Sequence, residues 1–182
     1  SYTALPGKGI IRIIVQEGQK EPYICYLKLR EPCTGTDVDV TWGNFGNNET
    51  NNRIPAAATP KSIDYTHLNW VKTYGGKPSL QIIVDNALVF MSGNTLYKVS
   101  LADGSVLDST TMDGSSAYTY IAPTYANGMI FCALNGGKVQ AFDAATLDSL
   151  WIYTDELGGQ DQVPITYSDD CVYTGFWSGE TK

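Results

Sequence analysis

One sequence pattern occurs three times in this chain and limits the possible folds more than any other feature. The pattern is a polar turn followed by an apolar strand that ends in an aromatic residue, and its copies are Asp85–Phe90, Ala126–Phe131 and Ser168–Tyr173. The three aromatic residues are 41 and 42 positions apart. A fixed period of this length indicates a repeat architecture in which each repeat packs against its neighbours.

Each repeat continues with a second turn and an alternating strand, as in residues 94–101 and 136–143, and then with a third turn and a final strand. Four strands in a period of about 40 residues are typical of a β-propeller blade. The 12 Tyr, 4 Trp and 18 Gly favour strands and tight turns, and no window shows a sustained helical period. We therefore predict an all-β chain with a partial β-propeller of about two and a half four-stranded blades, the last of them unfinished.

The N-terminal residues do not follow the repeat. Two apolar segments, Gly9–Val15 and Tyr23–Leu29, flank a polar turn at residues 16–22 and are predicted to form a short β-hairpin. A hairpin of this size has no core of its own, so residues 1–36 must pack on another element or end a preceding β-domain. The propeller blades are assigned to residues 37–182. The chain begins at Ser1 without a leader, which we interpret as a targeting segment removed upstream.

Charge and cysteine spacing exclude several function classes. The net charge is −7, with 12 Lys plus Arg against 19 Asp plus Glu, so a phosphate backbone is repelled and no nucleic-acid partner is expected. The longest apolar run is too short for a spanning helix, and we predict no membrane insertion. A single histidine, His67, and cysteines without paired spacing predict no metal site. Cys132 and Cys171 lie in apolar strand patterns and are expected to be buried and free, whereas a bridge between Cys25 and Cys33 stays open.

A family resemblance rests on the segment Ala141–Trp151. It resembles the tryptophan-docking segment of quinoprotein-type (PQQ-like) repeats, usually Ala-x-Asp-x-x-Thr-Gly-x-x-x-Trp, with Leu147 in place of the glycine. The segment from Trp42 to Asn48, followed by Trp70, is similar to the start of such propellers, so the resemblance covers about residues 40–182. It implies that Trp70 and Trp151 dock neighbouring blades and are structural. The hairpin and the Trp42 segment together resemble secreted bacterial cell-surface propellers, which implies an extracellular or cell-surface location.

The enzymes of this family bind pyrroloquinoline quinone through a vicinal Cys–Cys ring, with calcium ligands and a catalytic Asp. No two cysteines of this chain are adjacent, so we predict no cofactor and no catalytic residue. Asp155, Glu156 and Asp161 could serve glycoside cleavage only if two of them faced each other across a cleft, and Asp155 and Glu156 are expected to face solvent. A fragment of a quinoprotein dehydrogenase and a purely structural spacer remain as alternatives.

The loops that lead into each innermost strand are the candidate binding site. In a propeller such loops meet at one mouth of the central channel although they are distant in sequence. They would form a polar and aromatic rim suited to a glycan or a protein, or else be ordinary solvated turns; the residues are Lys77, Tyr118, Tyr120, Gln160, Asp161, Gln162 and Trp177. The sequence thus favours a non-catalytic extracellular binding or scaffolding propeller. Its other expected partner is the remainder of the propeller, in the same protein or in a second fragment.

Overall fold

The computed structural model describes residues 2–4, 10–13, 23–28, 40–48, 69–116, 118–161 and 163–177, with side chains from residue 42 onward. These residues contain fifteen β-strands and no helix. The prediction of an all-β chain is confirmed. Within the described part of the chain, no helix could therefore cross a membrane.

Two consecutive sheets correspond to the first two complete repeats. The first runs in the order β4-β5-β6-β7-β8 and the second in the order β12-β11-β10-β9, with every neighbouring pair antiparallel. Their strands are β4 Val40–Trp42, β5 Ile82–Val84, β6 Ala87–Ser92, β7 Thr95–Ser100, β8 Val106–Thr111, β9 Thr124–Ala126, β10 Met129–Leu134, β11 Lys138–Asp143 and β12 Ser149–Thr154. Strands β5–β8 and β9–β12 are two four-stranded meanders, as expected for propeller blades.

The repeated polar turn is a two-residue hairpin loop in each copy. Both loop residues have positive φ: 52° and 54° at Asp85 and Asn86, 54° and 74° at Asn127 and Gly128, and 51° and 57° in the third copy. Two consecutive residues of this kind form the turn whose twist matches that of paired strands, and Asn, Asp and Gly adopt it most readily. The turn chemistry therefore sets the register of each hairpin and explains why the pattern recurs.

The third sheet combines the two ends of the described chain. Its later strands are β13 Gln160–Asp161, β14 Thr166–Ser168 and β15 Cys171–Trp177, and both β13 and β14 pair with the same edge of β15. Its earlier strands are β1 Tyr2–Ala4, β2 Ile10–Ile13 and β3 Tyr23–Lys28, paired in that order. Strand β3 pairs with the other edge of β15 over six residues. The predicted hairpin thus forms, and it extends the third repeat with strands from the other end of the sequence.

Apolar side chains on the strands build one core. Among the largest fully buried residues are Phe131 and Phe142 of the second sheet, Ile82 and Leu96 of the first and Phe176 of the third. Full burial of each such side chain is worth about 1.5–3 kcal/mol. The predicted burial of Cys132 and Cys171 is confirmed, and burial raises the pKa of the Cys132 thiol.

A few polar bonds join the sheets to one another. Buried Lys98 of β7 donates from Nζ to the Ala144 carbonyl beyond β11 at 3.1 Å, and Thr124 of β9 donates to the Ile165 carbonyl before β14 at 2.6 Å. The Tyr125 N–H donates to Gly43 O at 2.6 Å, which fixes the Trp42 segment against the second sheet. Because polar groups lose water on burial, these bonds keep the sheet-to-sheet packing specific.

Candidate functional site

Backbone hydrogen bonds connect the three predicted mouth loops, directly between the first two and through the turn between β10 and β11 for the third. The Leu80 N–H donates to Thr119 O at 2.9 Å, which joins the loop before β5 to the loop before β9. The turn between β10 and β11 bonds both later loops: Asn135 N–H donates to Ser115 O at 2.9 Å, and Gly136 N–H donates to Gly159 O at 2.7 Å. Segments far apart in sequence therefore form one end of the molecule.

Close packing of glycines holds this end together. Gly137 has a φ of 70°, and a Cβ atom at this position would lie 2.9 Å from the Gly158 carbonyl oxygen. No side chain fits at that distance, so the β10–β11 turn and the loop before β13 approach each other backbone to backbone. This close approach brings Gln160 and Asp161 up to the preceding loop.

Two tyrosines form an aromatic pair at this end of the molecule. The rings of Tyr118 and Tyr120 are stacked, with centroids 5.0 Å apart and planes 25° from parallel. The Tyr118 hydroxyl donates to Gln160 Oε1 at 3.1 Å, which fixes the inner ring. Tyr120 is 48% exposed, so the pair presents an aromatic surface to solvent on a fixed base.

Asp161 lies in the same place but is fully buried, which differs from its predicted position on an exposed rim. The Ser116 hydroxyl donates to Asp161 Oδ2, and the Tyr118 N–H donates to Ser116 Oγ at 3.3 Å. The carboxylate therefore anchors the loop that carries the tyrosines. Its role in this geometry is to position that loop rather than to face a ligand.

Lys77 and Tyr118 line a shared cleft of about 50 Å³ between the first two mouth loops. The remaining lining residues are Ser79, Met91, Gly93, Ser116 and Thr119. Lys77 is exposed and forms no ion pair among the described residues. The cleft offers one cation and several hydroxyl groups beside an aromatic surface.

Trp177 is the last residue of β15, whereas the sequence placed it in a turn. It pairs across the sheet with Gln160 of β13 and is 44% exposed. The structure therefore brings together Lys77, Tyr118, Tyr120, Gln160, Asp161 and Trp177, which we call the mouth cluster. Gln162 lies outside the described residues.

Sequence reasoning missed the polar residues beneath the cluster. Ser116 connects Tyr118 to Asp161, yet a serine in a loop gives no signal of such a role. Asn135 Oδ1 is buried without a hydrogen-bond partner among the described residues, and only the preference of Asn for turns marked its position.

The two predicted docking tryptophans have different surroundings. The Trp70 indole N–H donates to Leu101 O at 2.9 Å, and its ring lies directly against Gly104. Trp151 of β12 packs on the core and contacts Phe131, with ring centroids 5.9 Å apart. Their structural role in docking neighbouring blades stays a prediction.

The carboxylates of this region do not form an open pair. Asp155 is buried, so the expectation that it faces solvent is wrong; it accepts hydrogen bonds from Tyr153 Oη at 3.1 Å and from Leu157 N–H at 2.9 Å. Those bonds compensate the burial of its charge. Glu156 is exposed, as expected. His67 and Cys33 are outside the described residues.

The described residues do not fit a site for a quinone with calcium. No group of three or more His, Cys, Asp or Glu in the described part of the chain could hold a metal ion. The two cysteines with described side chains, Cys132 and Cys171, are on different strands and supply no vicinal pair.

Comparisons with known proteins agree with the repeat analysis. The model of a PQQ-like repeat family, described as outer membrane protein assembly factor BamB, matches residues 68–181, more than half of the chain. A quinohemoprotein alcohol dehydrogenase, ADHIIG from Pseudomonas putida HK5, is 14% identical with a TM-score of 0.58, over 78% of this chain and 25% of that one. BamB from Moraxella catarrhalis is 15% identical with a TM-score of 0.48, over 61% of this chain and 38% of that one.

The chain spans 38% and 25% of the lengths of these two structures. No curated protein sequence matches it significantly. At this level of identity, the likeness to the dehydrogenase shows the fold alone. The fold it shows is that of a PQQ-like propeller.

Proposed function

The chain belongs to the PQQ-like repeat family described as outer membrane protein assembly factor BamB, and from this premise we propose that it is a non-catalytic binding propeller of the bacterial cell surface. The mouth cluster is its ligand-binding site, and a glycan or a protein is its ligand. The observation that carries the proposal is the aromatic pair of Tyr118 and Tyr120, held by Gln160 and exposed at Tyr120.

Three features of the mouth cluster support binding. An exposed aromatic ring on a fixed base loses little conformational freedom when a ligand covers it. The neighbouring cleft adds a cation and hydroxyl groups that can orient the ligand. The buried pair of Ser116 and Asp161 holds the loop beneath in one conformation.

Glycan-array and pull-down screens with the protein test this proposal. We expect at least one class of glycan or protein to bind, and the Tyr120→Ala variant to lose that binding. Leu107→Ala provides the control, because Leu107 is an exposed apolar residue on β8, outside the mouth loops. If both variants retain the ligand equally, the binding site lies elsewhere. If no ligand binds in either screen, the result favours a structural spacer.

The alternative function is a quinoprotein dehydrogenase of which this chain is one part. Addition of quinone with calcium to the full-length protein separates the two functions. Dye reduction with a substrate alcohol would establish the enzyme, and its absence together with ligand capture supports the binding protein.

The remainder of the propeller is the other proposed partner. The proposal is supported by the likeness in fold to the dehydrogenase, of whose length this chain covers 25%. Intact mass compared with the molecular weight in solution tests it. A chain of 19.8 kDa that assembles with further blades is expected, and a folded monomer of that mass would contradict it.

A further inference from the structure

We propose that the ligand of the mouth cluster is a carboxylated sugar, a uronic acid residue within a glycan. Lys77 binds the carboxylate at the cleft and the exposed ring of Tyr120 stacks on the sugar ring. This inference rests on the proposed function and narrows it to one class of ligand.

The size of the cleft limits what enters it. One water needs about 10–15 Å³ of cavity volume, and a cavity of about 150 Å³ admits benzene. A cleft of about 50 Å³ therefore has room for a carboxylate group and is smaller than a cavity known to admit a six-membered ring. The ring of the sugar must therefore stay outside the cleft, where the aromatic pair is exposed.

The cation at the cleft favours an anionic group. Lys77 has no ion-pair partner among the described residues, whereas Lys98 and Lys138 are paired with Asp85 and Asp113. Asp161 is the nearby acid of the mouth cluster, and it is buried with the Ser116 hydroxyl donating to it. An incoming carboxylate thus meets the Lys77 ammonium at the surface.

The overall charge sets an upper limit on the charge of the ligand. A chain with a net charge of −7 repels a polyanion such as a sulfated or polyphosphate chain. One carboxylate on an otherwise neutral sugar matches the single lysine of the cleft. The sugar also presents an apolar C–H face to Tyr120, and tyrosine combines an apolar ring face with a polar edge.

Gln160 supplies the remaining polar contact. Its Oε1 accepts from the Tyr118 hydroxyl at 3.1 Å, which leaves the amide NH₂ as a donor for a sugar hydroxyl. The donor lies on β13 beside the aromatic pair. The cation, the aromatic ring and the amide are thus the types of group that bind the carboxylate, the C–H face and a hydroxyl group of a sugar.

A peptide with a free C-terminal carboxylate is the competing ligand. Extended peptides gain most of their affinity by adding to a sheet edge through main-chain hydrogen bonds. The cleft is lined mainly by loop residues rather than by a strand edge. The geometry accordingly favours the sugar.

Titration of the protein by NMR with methyl glucuronide, neutral methyl glucoside and an acetylated dipeptide with a free carboxylate tests the proposal. We expect the glucuronide to bind about tenfold more tightly than the glucoside, as a charge-assisted contact provides. Lys77→Gln removes that difference, Lys77→Arg retains it, and Tyr120→Ala weakens both sugars. Lys72→Gln alters an exposed lysine outside the cleft and leaves binding unchanged.

Each other outcome overturns the inference in a recognisable way. Equal affinity for the two sugars, or full glucuronide binding by Lys77→Gln, removes the carboxylate recognition. Binding of the dipeptide alone shows that the ligand is not a sugar, but it agrees with a ligand-binding role for the mouth cluster. If no probe binds while the screens find a Tyr120-dependent ligand, the sugar class is wrong and the proposed function stands; if the screens also fail, both are wrong.

Discussion

The two four-stranded meanders, β5–β8 and β9–β12, share one strand order, but the turn before the outermost strand is covered by a different side chain in each. The two turns have the same backbone hydrogen bonds. The last residue of the preceding strand donates its N–H across the turn: Ser100 N–H donates to Ser105 O and Asp143 N–H donates to Asp148 O, each at 2.9 Å. Gly104 and Leu147 then occupy the same position, with N–H groups donating to Ser100 O and Asp143 O. Their φ values are 67° and 55°.

Gly104 and Leu147 differ in which side chain covers the turn. Gly104 has no side chain, and the ring of Trp70 covers it so closely that a Cβ atom would lie 2.7 Å from the ring. Leu147 covers its own turn with a buried side chain, 1% exposed, that joins the core. It does so in a backbone region that L-residues adopt at a cost of about 1–2 kcal/mol.

The strand register explains why the two turns differ. Trp151 of β12 pairs with Ala141, and Asp108 of β8 pairs with Lys98 at the corresponding place. The first sheet therefore carries an aspartate on its outermost strand where a tryptophan would be expected to cover the corresponding turn of the second sheet. We infer that Leu147 fills the space that a tryptophan at residue 108 would otherwise cover.

The largest effect is expected for Leu147→Ala. Removal of a fully buried leucine side chain should lower the free energy of unfolding by about 3 kcal/mol, measured by urea denaturation. Leu150→Ala is the matched control, because Leu150 is 42% exposed on the adjacent strand, and it should change stability far less. Equal effects of the two variants would show that Leu147 does not fill the turn.

Gly104→Ala should have an intermediate effect of about 2 kcal/mol, because it combines an unfavourable φ with a clash against the side chains of Trp70 and Lys72. Gly93→Ala is the control: its φ is 60° and no atom lies within 4 Å of the added Cβ. The control should cost about 1 kcal/mol, and thermal unfolding of both variants isolates the contact. If Gly104→Ala is no worse than Gly93→Ala, the Trp70 ring does not restrict this turn.

The smallest effect is expected from converting the second turn into the first. Leu147→Gly alone opens a cavity, and Asp108→Trp added to it supplies a ring to cover the glycine. The double variant should be about 1 kcal/mol more stable than the two single effects predict. A double-mutant cycle in urea measures this coupling, and strict additivity would contradict the inferred exchange.

How much the sequence predicts depends on the range of the interaction. The Asp85-Asn86 and Asn127-Gly128 turns are local, because their residue types fix the backbone, and so the hairpins could be placed from the sequence. The mouth loops could be grouped from the repeat period alone. The sequence could therefore identify the residues of the candidate site, but it could not predict the contacts between them.

Long-range choices could not be predicted. The sequence of Tyr23–Lys28 does not identify Cys171–Trp177 as its pairing partner. Strands pair through backbone groups, so the edge of any other amphipathic strand could have accepted it. The burial of Asp155 and Asp161 depends on donors from Tyr153 and Ser116, and a carboxylate in a loop has the same sequence signature whether it is buried or solvated. These features follow from packing across the sheets rather than from local preference.

The pairing of β3 with β15 also dictates an order of events during synthesis. Strand β3 leaves the ribosome first, and its partner follows only after both complete four-stranded meanders have emerged. Contacts between residues so distant in sequence form slowly, because closing the loop of intervening residues costs conformational entropy before the contact forms. Until then the early strands present open edges, which are the usual sites of aggregation. The third sheet is therefore the last to close, and its completion reports that nearly the whole described chain has folded.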